Sequence, residues 1–205
     1  MTAIIDYGVG NLYSLCSSFA YIGEDAFVTN DPEKIHSADR LILPGVGAFE
    51  DAAKKLFASG LVDVIRCEVK NGKPLLGICL GMQLLFEKSY EFGEHKGLGF
   101  LKGEIRPITD VIDKDLKIPH IGWNSLHFPQ TKEVHPLFAD LEENDCVYFV
   151  HSFYATNCEV SVIATTEYSA ELTAAAAFEN CCGVQFHPEK SGEVGMKILK
   201  AFCKM

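Results

Sequence analysis

A cysteine thiolate is a strong nucleophile near neutral pH, and one of the eight cysteines sits where a chain can hold its sulfur out for attack. Cys79 lies in LLGICLGMQ, between Gly77 and Gly81 and directly after an apolar run. G-x-C-x-G has the shape of a nucleophile elbow, a strand-to-helix turn too crowded for neighbours with a Cβ. Such a turn puts the sulfur at the amino end of a helix, where the dipole and unpaired N–H groups favour the thiolate. It also aims the Leu80 N–H at the oxygen of an attacked carbonyl, which is half of an oxyanion hole. The glycine-rich turn LPGVG can supply the other half, because Gly45 and Gly47 free the backbone to present the N–H of Val46 or Gly47. The alternative for both segments is a tight turn that closes a strand and does no chemistry.

A thiolate of this kind works with a base, and the histidines are His36, His95, His120, His127, His135, His151 and His187. His187 follows the strand-like GVQF and precedes Pro188 and Glu189. Across a proline that stiffens the turn, the Glu189 carboxylate can orient the imidazole and stabilise its protonated form. A lone histidine after a strand is more often structural, since any buried imidazole finds a partner. An elbow cysteine combined with His-x-Glu at a strand end points to acyl-transfer chemistry.

The elements that would position these groups alternate in the first half. Strand-like runs at residues 3–5, 26–29, 40–43 and 74–78 are interleaved with helical stretches at 11–22, 48–59 and 61–70. After Cys79, apolar Met82, Leu85 and Phe86 recur as one face of a helix would. The alternation predicts βαβ units, a parallel sheet and helices on both faces. Ligand sites of such sheets lie beyond the carboxyl ends of the strands, so DYGVGN, PGVG and GICLG should open on one edge.

The second half has β-like runs at 103–108, 147–150, 161–165 and 183–186, with the alanines of 174–177 read as small residues in a strand. A closing helix from Gly192 is read as capped by Ser191, with Val194, Ile198 and Phe202 along one face. The expected fold is a single α/β domain over 1–205 with a mixed, mostly parallel sheet.

Bulk properties narrow the function. A chain of 205 residues that is 48% hydrophobic can bury one substantial core. The amino terminus has no basic leader, and no apolar run approaches the roughly 18 residues of a membrane span. A soluble, cytoplasmic protein without a membrane role is the expectation. The cysteines include no C-x-x-C pair, which argues against zinc ribbons and thioredoxin-like sites, and neither metal nor cofactor is expected. Cys181 and Cys182 should point to opposite faces of a strand, and most of the eight are read as reduced, buried apolar residues. A net charge of -10 with scattered basic residues argues against a nucleic-acid surface.

GICLGMQ together with GVQFHPE resembles the class I, triad-type glutamine amidotransferases. The resemblance implies a flavodoxin-like core in which Cys79 attacks the side-chain amide of L-glutamine, His187 moves the proton and Glu189 supports His187. A γ-glutamyl thioester forms and is hydrolysed, and ammonia is released. DYGVGNLYS, LPGVGAF, IPHIGWN, YFVHSF and GVQFHPEKSG are similar in order and spacing to the glutaminase subunits of imidazole glycerol phosphate synthases, across Asp6 to Gly192.

That likeness implies that Gly45, Gln83, Glu91, His151, Ser152 and Phe153 hold glutamine, with an anion near its ammonium and N–H donors near its carboxylate. Phe153 stands where the family pattern has tyrosine. The likeness also implies a separate cyclase subunit with a (β/α)₈ barrel, forming a heterodimer through loops bearing Asn11, Trp123 and Lys190. The plain alternatives for those three are a helix cap, a core tryptophan and a solvated charge. Rival readings are the glutaminase subunit of another synthase, for pyridoxal phosphate or a purine intermediate; a cysteine hydrolase of γ-glutamyl conjugates or peptides; and a binding module with Cys79 as redox sensor.

Overall fold

Apolar runs of about four residues, bounded by Gly, Pro and Asn, are long enough for strands that are buried on both faces. The computed structural model, which describes residues 1–131 and 133–205, assembles them into a doubly wound sheet. Its first half contains β1 (Thr2–Ile5), α1 (Leu12–Ile22), β2 (Ala26–Thr29), α2 (Pro32–Ser37), β3 (Arg40–Leu43), α3 (Phe49–Ala58), α4 (Leu61–Lys70), β4 (Leu75–Ile78) and α5 (Leu80–Leu85). The chain continues through β5 (Phe86–Ser89), β6 (His95–Lys96), β7 (Leu101–Pro107), β8 (His120–Ser125), β9 (Cys146–His151) and β10 (Phe153–Thr156). It closes with β11 (Val162–Glu167), β12 (Glu171–Phe178), β13 (Cys181–Val184) and α6 (Gly192–Phe202).

The principal sheet has the order β11-β12-β13-β4-β3-β1-β2. From β13 to β2 neighbours are parallel, and β11 and β12 extend it antiparallel. Two cores flank it. Ile35, Leu56, Ile65 and Leu85 bring α2 to α5 onto one face, and Leu15, Phe19, Ile198 and Phe202 bring α1 and α6 onto the other. Cys181 belongs to the first core and Cys182 to the second, as strand alternation requires. Ala174, Ala175 and Ala176 are fully buried in β12. Among the described residues no helix is long and apolar enough to cross a membrane.

Three local expectations change. The second-half strands do not all join one sheet: β7 pairs with β10 and β5 in a four-stranded sheet, and β8 and β9 form a separate two-stranded ribbon. The alternating burial of β7 explains its departure, because only one of its faces has a core to meet. The helix after Cys79 stops at Leu85, and Phe86 opens β5. All six residues of α5 are buried, so its apolar spacing carried no information about a solvent face. Ser191 does not cap α6 with its side chain. Its hydroxyl donates to the His187 carbonyl at 2.6 Å and accepts the Tyr148 N–H at 3.0 Å, tying the turn after β13 to β9.

Candidate active site

The carboxyl ends of β1, β3, β4 and β13 lie side by side, and the chain reverses its winding between β1 and β3. A crevice opens at such a reversal. The segments DYGVGN, PGVG and GICLG leave these strands on the same edge and touch one another. Tyr7, buried, donates its phenolic O–H to the Pro44 carbonyl at 2.7 Å. A Cβ on Gly10 would stand 2.9 Å from that of Pro44, and one on Gly45 would stand 2.6 Å from the Gly81 nitrogen. The PGVG turn is therefore in backbone contact with the elbow, which only glycine permits, and Gly10 packs on the Pro44 side chain.

Cys79 occupies the turn between β4 and α5 with φ 54° and ψ −112°, a strained region for a residue with a side chain. Crowding forces the flanking residues. A Cβ on Gly81 would fall 1.8 Å from the Leu43 carbonyl oxygen, and one on Gly77 would fall 2.7 Å from the Gly81 oxygen. The strain is held by the Cys79 N–H donating to the Val184 carbonyl at 2.8 Å and by the first helical bond, from the Gln83 N–H to the Cys79 carbonyl at 3.2 Å.

Register brings His187 to the sulfur. Val184 pairs with Ile78, so the residues after them, Gln185 and Cys79, leave the sheet together, and His187 follows within reach. His187 is 2% exposed, and its Nδ1 lies 2.8 Å from Glu189 Oε1. Burial alone would drive its proton off. The sulfur of Cys79 and the carboxylate of Glu189 outweigh burial and push the imidazole up to about 9. The other Glu189 oxygen is buried without a partner among the described residues, so this carboxylate acts on His187 alone.

A cleft of about 580 Å³ opens over the sulfur. Val46, Gly47, Leu80 and Gln83 line it on the elbow side. Glu91, His151, Ser152 and Phe153 also line it. Gly45 sits behind this wall, packed on the elbow. Glu91 is 8% exposed and accepts the Phe49 N–H at 2.7 Å, the first amide of α3; burial raises its carboxyl above the usual range. His151 is driven the other way, down to about 4, by burial first. Its Nδ1 lies 2.8 Å from the Phe153 carbonyl, so it is a neutral donor there. Phe153 contributes this carbonyl, while its ring meets Phe92 edge-on at 6.3 Å.

A model of the class I glutamine amidotransferase family matches residues 3–205. The chain is 49% identical over 206 residues to imidazole glycerol phosphate synthase subunit HisH of Sulfurimonas denitrificans, covering 100% of this chain and 98% of that protein. It is 48% identical to the HisH subunit of Caldanaerobacter subterraneus subsp. tengcongensis at the same coverage. The chain belongs to the class I glutamine amidotransferases. Solved structures share the architecture at low identity. One described as a glutamine amidotransferase superposes with a TM-score of 0.75 at 16% identity, over 98% of this chain and 97% of that one. PurLQS from Thermotoga maritima superposes with a TM-score of 0.75 at 18% identity, over 99% and 97%.

In this amidotransferase the sequence reading missed two side chains at the sulfur. Tyr7 braces the PGVG turn, and its phenol is pushed up by burial and then by the nearby Cys79. Gln185, fully buried, donates to Cys79 Sγ at 3.7 Å. Tyr7 lies in DYGVGN and Gln185 in GVQFHPE, but their contacts depend on strand register and loop packing, which local spacing does not encode.

Of the three residues read as partner contacts, Trp123 is 59% exposed on β8, which removes the core alternative. It meets Tyr148 edge-on at 6.3 Å, and Lys190 Nζ lies 5.9 Å over the same ring. Asn11 precedes α1 and makes no side-chain cap bond.

Proposed function

We propose that this chain is the glutaminase subunit of an imidazole glycerol phosphate synthase. It hydrolyses L-glutamine at Cys79 and passes ammonia to a cyclase subunit in histidine biosynthesis. The observation that carries the reading is end-to-end identity near one half to HisH subunits, with Cys79 and His187 lining one cleft and Glu189 bonded to His187. The PurLQS structure matches at 18% identity and supports only the fold.

In this mechanism the Cys79 thiolate forms a C–S bond to the side-chain carbon of glutamine. The resulting oxyanion is held by the N–H of Leu80 and one from Val46 or Gly47. His187, protonated beside the sulfur, gives its proton to the nitrogen as the C–N bond breaks, and ammonia leaves. A water then loses a proton to His187 and attacks the thioester, releasing glutamate and the thiolate. Glu189 at Nδ1 leaves Nε2 as the nitrogen that exchanges the proton. Glu91 faces the substrate ammonium, Gln83, His151, Ser152 and Phe153 complete the glutamine site, and Gly45 supports its wall from behind.

The whole chain acts as one cytoplasmic domain without metal or cofactor. It docks as a heterodimer on a (β/α)₈ cyclase through Asn11, Trp123 and Lys190. The test combines the protein with its cyclase and compares glutamine with ammonium as nitrogen donor. Cys79→Ala should abolish the glutamine reaction and leave the ammonium reaction intact; loss of both, or of neither, refutes the assignment.

A further inference from the structure

A fully buried carboxamide touches the reacting sulfur and is itself held at its other end. Gln185 Nε2 lies 3.7 Å from Cys79 Sγ, and Gln185 Oε1 accepts from Gln83 Nε2 at 2.9 Å. Gln83 Nε2 also lies 3.4 Å from the Phe153 carbonyl. That carbonyl can only accept, so Gln83 must turn its NH₂ toward it. The same NH₂ meets Gln185, which must present its oxygen there. The far end of Gln185, facing the sulfur, is therefore its NH₂. No flip of either amide satisfies the set otherwise.

The polarity extends outward. His151 Nδ1 donates to the same Phe153 carbonyl at 2.8 Å, which leaves the Nε2 of neutral His151 to accept from His120 Nδ1 at 2.9 Å. His120 Nε2 in turn lies 3.2 Å from the Asn124 amide. Each link fixes the direction of the next, from β8 to the elbow.

We propose that Gln185 holds the Cys79 sulfur as a thiolate and fixes its direction, with Gln83 locking the donor end of Gln185 toward the sulfur. A donor aimed at sulfur favours the anion, because an N–H bond to a full negative charge is stronger than one to a neutral thiol. The other titratable groups facing the sulfur are His187 and Tyr7, with Glu189 behind His187. His187 supplies charge and a proton, and Gln185 supplies a donor that never titrates. The proposal rests on Cys79 being the nucleophile.

The experiment follows alkylation of Cys79 by iodoacetamide against pH, read on the Cys79 peptide by mass spectrometry so that the other cysteines do not contribute. Gln185→Met keeps the volume and removes the donor. It should move the midpoint up by about one unit, a loss of about tenfold in thiolate at pH below both midpoints. An unchanged midpoint in a folded variant overturns the proposal.

A second measurement needs no change at Gln185. The chain has three glutamines, Gln83, Gln130 and Gln185. With side-chain ¹⁵N-labelled glutamine, and Gln130 assigned by Gln130→Ala, one of the two remaining amide signals should shift at the midpoint of Cys79 alkylation. The shift should vanish in Cys79→Ala. An amide that does not respond, or responds equally without the sulfur, sinks the contact. Neither readout uses glutamine turnover or a partner, so either can fail while the glutaminase assignment stands.

Discussion

At the residue scale the site holds two histidines in opposite states within one polar cluster. His187 is pushed up to about 9 and His151 down to about 4 from a shared starting value of 6.5. For His187 the folded chain binds the proton more tightly than the unfolded one. Its contribution to stability is therefore complete below pH ~6.5 and is lost as pH rises toward ~9. For His151 the folded chain favours the neutral ring. That contribution is present above pH ~6.5 and lost as pH falls toward ~4, on the order of 3 kcal/mol. Urea midpoints should thus decline on both sides of a maximum near pH 6.5. Cys79→Ala should flatten the alkaline decline, because it removes the attraction of the sulfur, and His151→Gln should flatten the acid one. A wild-type curve flat from pH 4 to 6.5 would contradict the buried neutral state of His151. In turnover, Glu189→Gln should cost less than His187→Ala, since an oriented imidazole retains part of its function when its orienting group is weakened; equal losses would mean that the carboxylate does more than orient.

At the element scale the elbow depends on backbones that approach closer than any side chain allows. Gly81→Ala puts a carbon 1.8 Å from the Leu43 oxygen, where neither backbone can move without disturbing β3 or α5. Thermal unfolding should drop by about 5–10 °C, as for an overpacked core. Gly45→Ala meets Gly81 and Leu80 at 2.6 and 2.9 Å, but it lies outside β3 and α3, in the turn between them. The expected outcome there is a folded protein whose PGVG turn is pushed off the elbow, with kcat for glutamine reduced at least ~10-fold and little change in Tm. If Gly45→Ala instead lowers stability as much as Gly81→Ala and spares kcat, the turn is structural and gives no oxyanion donor.

At the scale of the molecule, the exposed face carrying Trp123, Lys190 and the Tyr148 ring adjoins the turn at 188–190 that carries Glu189. A partner seated there would press on the segment that orients His187. The proposed assembly therefore carries two expectations. Trp123→Ala should weaken cyclase binding about 30-fold, as loss of a central aromatic does, while Cys79 alkylation in the free subunit stays at the wild-type rate. Glutamine hydrolysis by the free subunit should also be slow beside that of the ligand-loaded complex; equal rates would remove the partner from the mechanism.

Chemistry encoded by neighbours in the chain was legible from sequence. G-x-C-x-G specifies a turn that needs two missing Cβ atoms, and His-Pro-Glu fixes a carboxylate two residues from an imidazole, so Cys79, His187 and Glu189 stood out as candidates, and the fold brings the three together. The alternation of short apolar runs with amphipathic ones likewise specified the parallel core, because each period reports one element's burial. Contacts set by pairing between distant segments were not legible. Gln185 reaches Cys79 only because Val184 pairs with Ile78, Tyr7 reaches Pro44 only because β1 lies beside β3, and Ser191 bonds Tyr148 instead of capping α6. The extent of α5 and the separation of β7, β8 and β9 from the main sheet followed from which faces found a core. Local geometry thus determined which groups were candidates for chemistry, and tertiary register decided which neighbours touch them, since a hydrogen bond depends on distances that spacing along the chain does not set.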